Sequence, residues 1–179
     1  PENDYNYYSR GRLYEKGLED YDMALLDYNK AIELNPKDAV YYFRRAYLYN
    51  ESLKQFDRAI ADYLKALELN PEDTSALNNI ALIYQNDLKD YEKALDYFSK
   101  AIELDPEDPL YYRNRASVYL NKLKDYDKAL LDYNKAIELE PENDYNYYSR
   151  GRLYEKGLED YDMALLDYNK AIELNPKDA

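Results

Sequence analysis

The sequence predicts an all-α fold, an array of tandem antiparallel helix pairs, and three observations carry that prediction. Proline recurs with a constant spacing of 35 residues, at Pro1, Pro36, Pro71, Pro106, Pro141 and Pro176. Between consecutive prolines the apolar residues fall at helical spacing twice over. They occupy places 7, 10 or 11, 14 and 18 of each unit, then places 21, 24, 25, 28, 31 and 32. Glycine, at 4 residues in 179, is too scarce for a turn-rich sheet.

Cutting at each proline gives repeats 1–35, 36–70, 71–105, 106–140 and 141–175, with 176–179 opening a sixth, truncated one, so residues 1–179 read as a single array. The first helix of each unit starts after Asn3, Asp38, Asp73, Asp108 or Asn143, whose side chains can accept from the orphan N–H groups of the first turn. Pro109 fits this register, since proline at the first helical position loses no intrahelical bond. The second helix starts after Asp20, Asp90, Asp125 or Asp160, with Gln55 the weaker cap, and runs towards the next proline. The turn between them holds Gly17 and Gly157 in two copies but Ser52, Asp87 and Lys122 in the others, so no glycine conformation is required at that place. Residues 141–179 repeat 1–39 without change. The expectation is an array duplicated in blocks or sliced from a longer one, natural or engineered.

Composition removes whole classes of function. The chain has neither Cys nor His, which excludes disulfides, thiolate nucleophiles, imidazole bases and the common zinc sites. No acid pair stands apart from caps and helix faces, so the reading is non-catalytic, with no cofactor and no metal. A net charge of −13 opposes binding to polyanionic nucleic acid. No apolar run approaches the ~20 residues that cross a bilayer. The expectation is a soluble protein whose compartment stays open, with the cytoplasm as default.

Place 10 of the unit holds Arg10, Arg45, Ile80, Arg115 and Arg150, while place 27 holds Asp27, Asp62, Tyr97, Asp132 and Asp167. The acid disappears only in the repeat that loses its arginine. This co-variation predicts a partly buried Arg–Asp pair inside four repeats and an Ile–Tyr contact in the third. Pairing across repeats would leave Asp62 and Arg115 mismatched.

The repeating small and aromatic residues resemble the tetratricopeptide repeat family. The first helices carry Tyr7, Gly11, Tyr14 and then Tyr42, Ala46, Tyr49, with Leu77, Ala81, Tyr84 in the third copy, Tyr112, Ala116, Tyr119 in the fourth and Tyr147, Gly151, Tyr154 in the fifth. The second helices answer with Ala24, Tyr28, Ala31 and with the same pattern at Ala59, Ala94, Ala129 and Ala164. Two features depart from the family: its period is ~34 residues, which places the extra residue in the turn between helices, and place 10 is usually leucine.

The resemblance implies a right-handed superhelix whose concave face is lined by the first helices and serves as the binding surface. Most tyrosines lie at packing places, but Tyr5, Tyr8, Tyr47, Tyr145 and Tyr148, joined by Phe43, Leu82 and Leu110, fall by register on the concave side. With Arg12, Arg44, Asn78, Asn79, Arg113, Asn114 and Arg152 they form the expected surface for a protein or peptide. The first helices hold eleven basic residues against six acidic, so a ligand with acidic residues is favoured. The family's carboxylate clamp is incomplete here, because Tyr8, Phe43, Leu110, Ser117 and Ser149 stand where charged or amide groups belong. The alternative function is a self-associating or engineered array, joined head to tail or as a dimer through Leu165, Tyr168 and Ile172 of the last helix.

Overall fold

Nine of the ten predicted helix starts are formed side-chain N-caps in the computed structural model, which describes residues 3–176. Side-chain oxygens of Asn3, Asp38, Asp73, Asp108 and Asn143 accept from first-turn backbone N–H groups of α1 (Asp4–Leu13), α3 (Ala39–Glu51), α5 (Thr74–Ile83), α7 (Pro109–Val118) and α9 (Asp144–Leu153). Asp20, Asp90, Asp125 and Asp160 do the same for α2 (Tyr21–Leu34), α6 (Tyr91–Leu104), α8 (Tyr126–Leu139) and α10 (Tyr161–Leu174). Gln55, before α4 (Phe56–Leu69), makes no side-chain cap bond. Each second helix stops two residues short of the repeat's proline. No strand occurs among the described residues.

The extra residue of the 35-residue period is absorbed at the end of the first helix. In four repeats the last turn widens into a π turn, over Tyr14–Leu18, Tyr84–Leu88, Tyr119–Leu123 and Tyr154–Leu158. The chain then reverses through a left-handed residue at place 19: Glu19, Lys54, Lys89, Lys124 and Glu159, with φ between 53 and 58°. The following N–H closes the motif by bonding back to the place-14 carbonyl, as in Asp20 N to Tyr14 O at 2.9 Å and Gln55 N to Tyr49 O at 2.8 Å. Gly17 and Gly157 lie inside the π turns and have no positive φ, so the absence of glycine from the other copies has a backbone reason.

The helices gather into two compact units, 1–88 and 89–179. In the first, the pairs α1–α2 and α3–α4 stack with α5, the second helix of each pair packing against the first helix of the next. Its core contains Tyr8, Ala24, Tyr28, Ala31, Tyr41 and Leu48. In the second, α6 packs on the α7–α8 pair, and α8 on the α9–α10 pair, around Ala116, Leu120, Ala129, Tyr133 and Leu153. The alanines at places 24 and 31 of the first four repeats have no solvent exposure. They let backbones approach while rings fill the space beside them, at roughly 1.5–3 kcal/mol for each fully buried large apolar side chain.

The Arg–Asp pairs predicted from co-variation are present in all four repeats. Each is bidentate, with Nε and Nη2 donating to the two carboxylate oxygens: Arg10 to Asp27 at 2.7 and 2.7 Å, Arg45 to Asp62 at 2.6 and 2.8 Å, and both Arg115 to Asp132 and Arg150 to Asp167 at 2.8 and 2.8 Å. The free Nη1 adds a bond the sequence reading missed. It reaches back to place 29 of the preceding repeat: Arg45 to Asn29 at 2.6 Å, Arg115 to Ser99 at 2.9 Å and Arg150 to Asn134 at 2.6 Å. Place 29 of the second repeat is Leu64, so the residue preceding Ile80 in this scheme is apolar as well. The signal that would have revealed this arm was there, as a third place switching with the other two.

Candidate interaction surface

The first helices present their side chains through a chain of rings and guanidinium groups. On α1, Tyr5 lies 6.0 Å from Tyr8, Tyr8 lies 5.2 Å from Tyr41 on α3 and 6.2 Å from Tyr28 on α2, and the Arg12 guanidinium stands 5.9 Å over the Tyr8 ring. On α3, Phe43 meets Tyr63 edge-on at 5.3 Å. In the second unit, Arg113 on α7 stands 5.2 Å over the Tyr145 ring on α9 and donates to the side-chain Oδ1 of Asn146 at 2.9 Å, and Tyr145 lies 6.0 Å from Tyr148.

The predicted surface residues divide into three groups. Tyr5, Arg12, Tyr145 and Tyr148 are exposed, and Phe43, Arg44, Tyr47, Asn79, Leu82, Arg113, Asn114 and Arg152 are half-buried. Tyr8 and Asn78 are buried, which corrects their placement on an open surface. Tyr8 is core because Tyr41 of the next repeat covers it, and no property of α1 alone announces that.

Electrostatics sort the arginines. Those at place 10 are spent on Asp27, Asp62, Asp132 and Asp167, and Arg113 is spent on Asn146. Arg12, Arg44 and Arg152 have no carboxylate within ion-pair distance among the described residues. Their fields act on neighbouring phenols, Arg44 on the buried Tyr28 and Tyr63 and Arg152 on the buried Tyr133 and the half-buried Tyr168. Burial dominates there: it pushes the Tyr133 hydroxyl up to about 12, and it raises Tyr28 and Tyr168, which also donate to Glu15 and to Glu155 (2.7 Å for the latter). These tyrosines stay neutral near pH 7. Among the described residues no cluster of acidic side chains could hold a metal ion, and no helix is long and apolar enough to cross a membrane.

Stacked helix pairs, with alanines at the crossing points and a row of first helices carrying unspent polar groups, define a helical repeat protein of the solenoid class. Models of the tetratricopeptide repeat match residues 5–38 and 145–178, 27–61, 52–87 and 72–142, which together span nearly the whole chain. The chain belongs to the tetratricopeptide repeat family, whose members act as protein-interaction scaffolds. Solved structures agree. A crystal structure of MamA is 25% identical with a TM-score of 0.78, over 94% of this chain and 95% of that one. YrrB, described as a TPR protein with an unusual peptide-binding site, is 23% identical with a TM-score of 0.73, over 98% and 88%. A thermophilic TPR protein from Thermus thermophilus is 24% identical with a TM-score of 0.68, over 98% and 93%. Among curated proteins none matches the chain.

Proposed function

We propose that the chain is a non-catalytic scaffold whose first helices hold an extended or helical peptide bearing acidic side chains. One observation carries the reading: among the described residues Arg12, Arg44 and Arg152 are the first-helix guanidiniums with neither an ion pair nor a side-chain hydrogen bond, and in each unit they lie among tyrosines. A guanidinium beside a ring offers a carboxylate two parallel hydrogen bonds and an apolar wall, in a molecule whose net charge otherwise repels anions. The peptide-binding description of YrrB supports the reading at the level of shared fold.

The test is a fluorescence-anisotropy screen of acidic peptides against the intact chain and against a variant with Arg12→Gln, Arg44→Gln and Arg152→Gln. We expect the selected peptide to bind about tenfold or more weakly to the variant, and to weaken with added salt. The melting temperature should hold, because none of the three has an internal ion pair to lose. A ligand indifferent to both salt and substitution would overturn the proposal. Tyr8→Ala is unsuited to this purpose, since Tyr8 belongs to the core.

Self-association through Leu165, Tyr168 and Ile172 is a second reading. It is favoured by the exposure of Leu165 and Ile172 on α10 and by the half-exposure of Tyr168.

A further inference from the structure

Place 28 of the repeat is a tyrosine in four copies, and in the three whose place 15 is polar its hydroxyl meets different fates. In the first and fifth repeats place 15 is a glutamate and the hydroxyl donates to it: Tyr28 to Glu15, and Tyr168 to Glu155 at 2.7 Å. In the second repeat place 15 is Asn50, whose amide donates to Glu51 at 2.7 Å instead. The hydroxyl of Tyr63 is left buried with no hydrogen-bond partner. Among the described residues the other buried side-chain atom in this condition is Gln85 Oε1, which has no proton to give. An unpaired buried hydroxyl costs the fold stability. Phenylalanine would avoid that cost, and it fits this place, since Phe98 is fully enclosed at place 28 of the third repeat.

Tyr63 belongs to α4, but its ring tip lies under the first helices. Phe43 of α3 meets the ring edge-on at 5.3 Å. The fields of Glu51, Tyr47 and Arg44, all on α3, reach the hydroxyl, and Asn79 of α5 stands near it without forming a hydrogen bond. Burial dominates and pushes the hydroxyl up, so it is a neutral proton donor at pH 7. Glu51 is exposed, and Tyr47, Arg44 and Asn79 are half-buried. The hydroxyl thus forms part of the floor of the first-helix surface in this unit.

We propose that Tyr63 determines specificity on this surface: its hydroxyl takes a side-chain carboxylate of the peptide ligand, in the role that Glu15 and Glu155 fill for Tyr28 and Tyr168, with Arg44 supplying the opposite charge. The inference rests on the acidic-peptide reading above and adds where one acid goes and which group reads it. A carboxylate is the occupant that the chain itself selects, since both repeats that provide an acceptor at place 15 provide that one. Arg44 has no ion pair to give up, and its charge offsets the desolvation of an arriving anion. A glutamine of the same shape could accept from the hydroxyl but would gain much less from the guanidinium, so glutamate is preferred. The reading group sits on a second helix, whereas the groups of the family's carboxylate clamp lie on first helices.

The experiment follows the intact chain by NMR, with its tyrosines carrying carbon-13 at Cζ and the Tyr63 signal assigned by its loss in Tyr63→Phe. The probes are acetyl-Gly-Glu-Gly-amide and, at matched ionic strength, acetyl-Gly-Gln-Gly-amide. We expect a saturable shift of the Tyr63 signal with the glutamyl probe and half-saturation about fivefold or more weaker with the glutaminyl one. Asn50→Glu installs the place-15 glutamate of the first and fifth repeats. It should raise the melting temperature and abolish the response, because the hydroxyl then has an internal acceptor. Tyr63→Phe should melt at or above the wild-type temperature. A Tyr63 signal that stays still, that moves equally with both probes, or that responds unchanged in Asn50→Glu would overturn the proposal. So would a lower melting temperature for Tyr63→Phe, which would reveal a partner for the hydroxyl within the fold. If screened acidic peptides bind through the arginines while Tyr63 stays silent, this inference fails and the wider reading stands.

Discussion

Arg45 and Asp62 meet side-on, at 2.6 and 2.8 Å, and the third nitrogen of the same guanidinium crosses to Asn29 of the preceding repeat at 2.6 Å. One side chain thus closes its own helix pair and latches it to its neighbour. The same double duty falls to Arg115 and Arg150. Among the described residues Arg10 makes no such third bond, and its side chain is 54% exposed against 18–20% for the other three.

Removing the cation from such a pair strands a buried carboxylate. Arg115→Leu leaves Asp132, whose side chain is 4% exposed, without its partner, and should cost about 3 kcal/mol in urea-unfolding free energy. Arg10→Leu should cost less, because solvent already reaches that guanidinium. Combining Arg115→Ile with Asp132→Tyr and Ser99→Leu rebuilds the apolar set of the third repeat, and most of the lost stability should return. Equal stability of Arg115→Leu and wild type would show that the pairs are ornamental.

Gly11 and Gly17 should respond in opposite directions to alanine. A Cβ at Gly11 would stand 2.9 Å from the Tyr28 ring and 3.2 Å from Asp27 Cβ, and the ring is held by its bond to Glu15. Gly11→Ala should destabilise by about 1–2 kcal/mol net of its better helix propensity. A Cβ at Gly17 meets only the flexible end of Leu13, at 3.1 Å, so Gly17→Ala should stabilise by about 0.5–1 kcal/mol. Thermal melts of the two single variants decide this.

Acid should loosen the helix starts. Asp125 is held below the ordinary aspartate value of 3.8 by the Lys128 ammonium and backbone N–H, and Asp90 likewise by those of Lys93. A carboxyl whose folded value is depressed contributes stability that is fully present above its unfolded value and is lost as pH falls through the folded one. The melting temperature should therefore be level from pH 7 to about 5 and fall below about 4. Asp125→Asn, which keeps an acceptor for the cap but cannot titrate, should flatten part of that fall. An unchanged acid limb in this variant would rule out the cap as its source.

Much of this protein was legible without coordinates because the relevant physics is local. Caps depend on an oxygen two or three residues from the N–H it accepts, so Asn3, Asp38 and their equivalents could be placed by register alone. The Arg–Asp pairs were legible for a different reason: repeats supply parallel versions of one environment, and the third repeat changes both members together. The turn was harder. The reading put the extra residue between the helices, whereas the structure widens the first helix into a π turn and hands the reversal to a left-handed glutamate or lysine, a choice that depends on how adjacent helices fit.

The sequence by itself determined the period, the helices, their caps and the carboxylate partner of each place-10 arginine, since all of these are written within a single 35-residue unit. Only the tertiary structure decided which tyrosines are core. Tyr8 and Tyr148 stand in identical stretches of chain, and one is enclosed while the other is open. Burial is set by what lies across from a side chain, and for these two that is Tyr41 in one case and an unfilled cavity in the other.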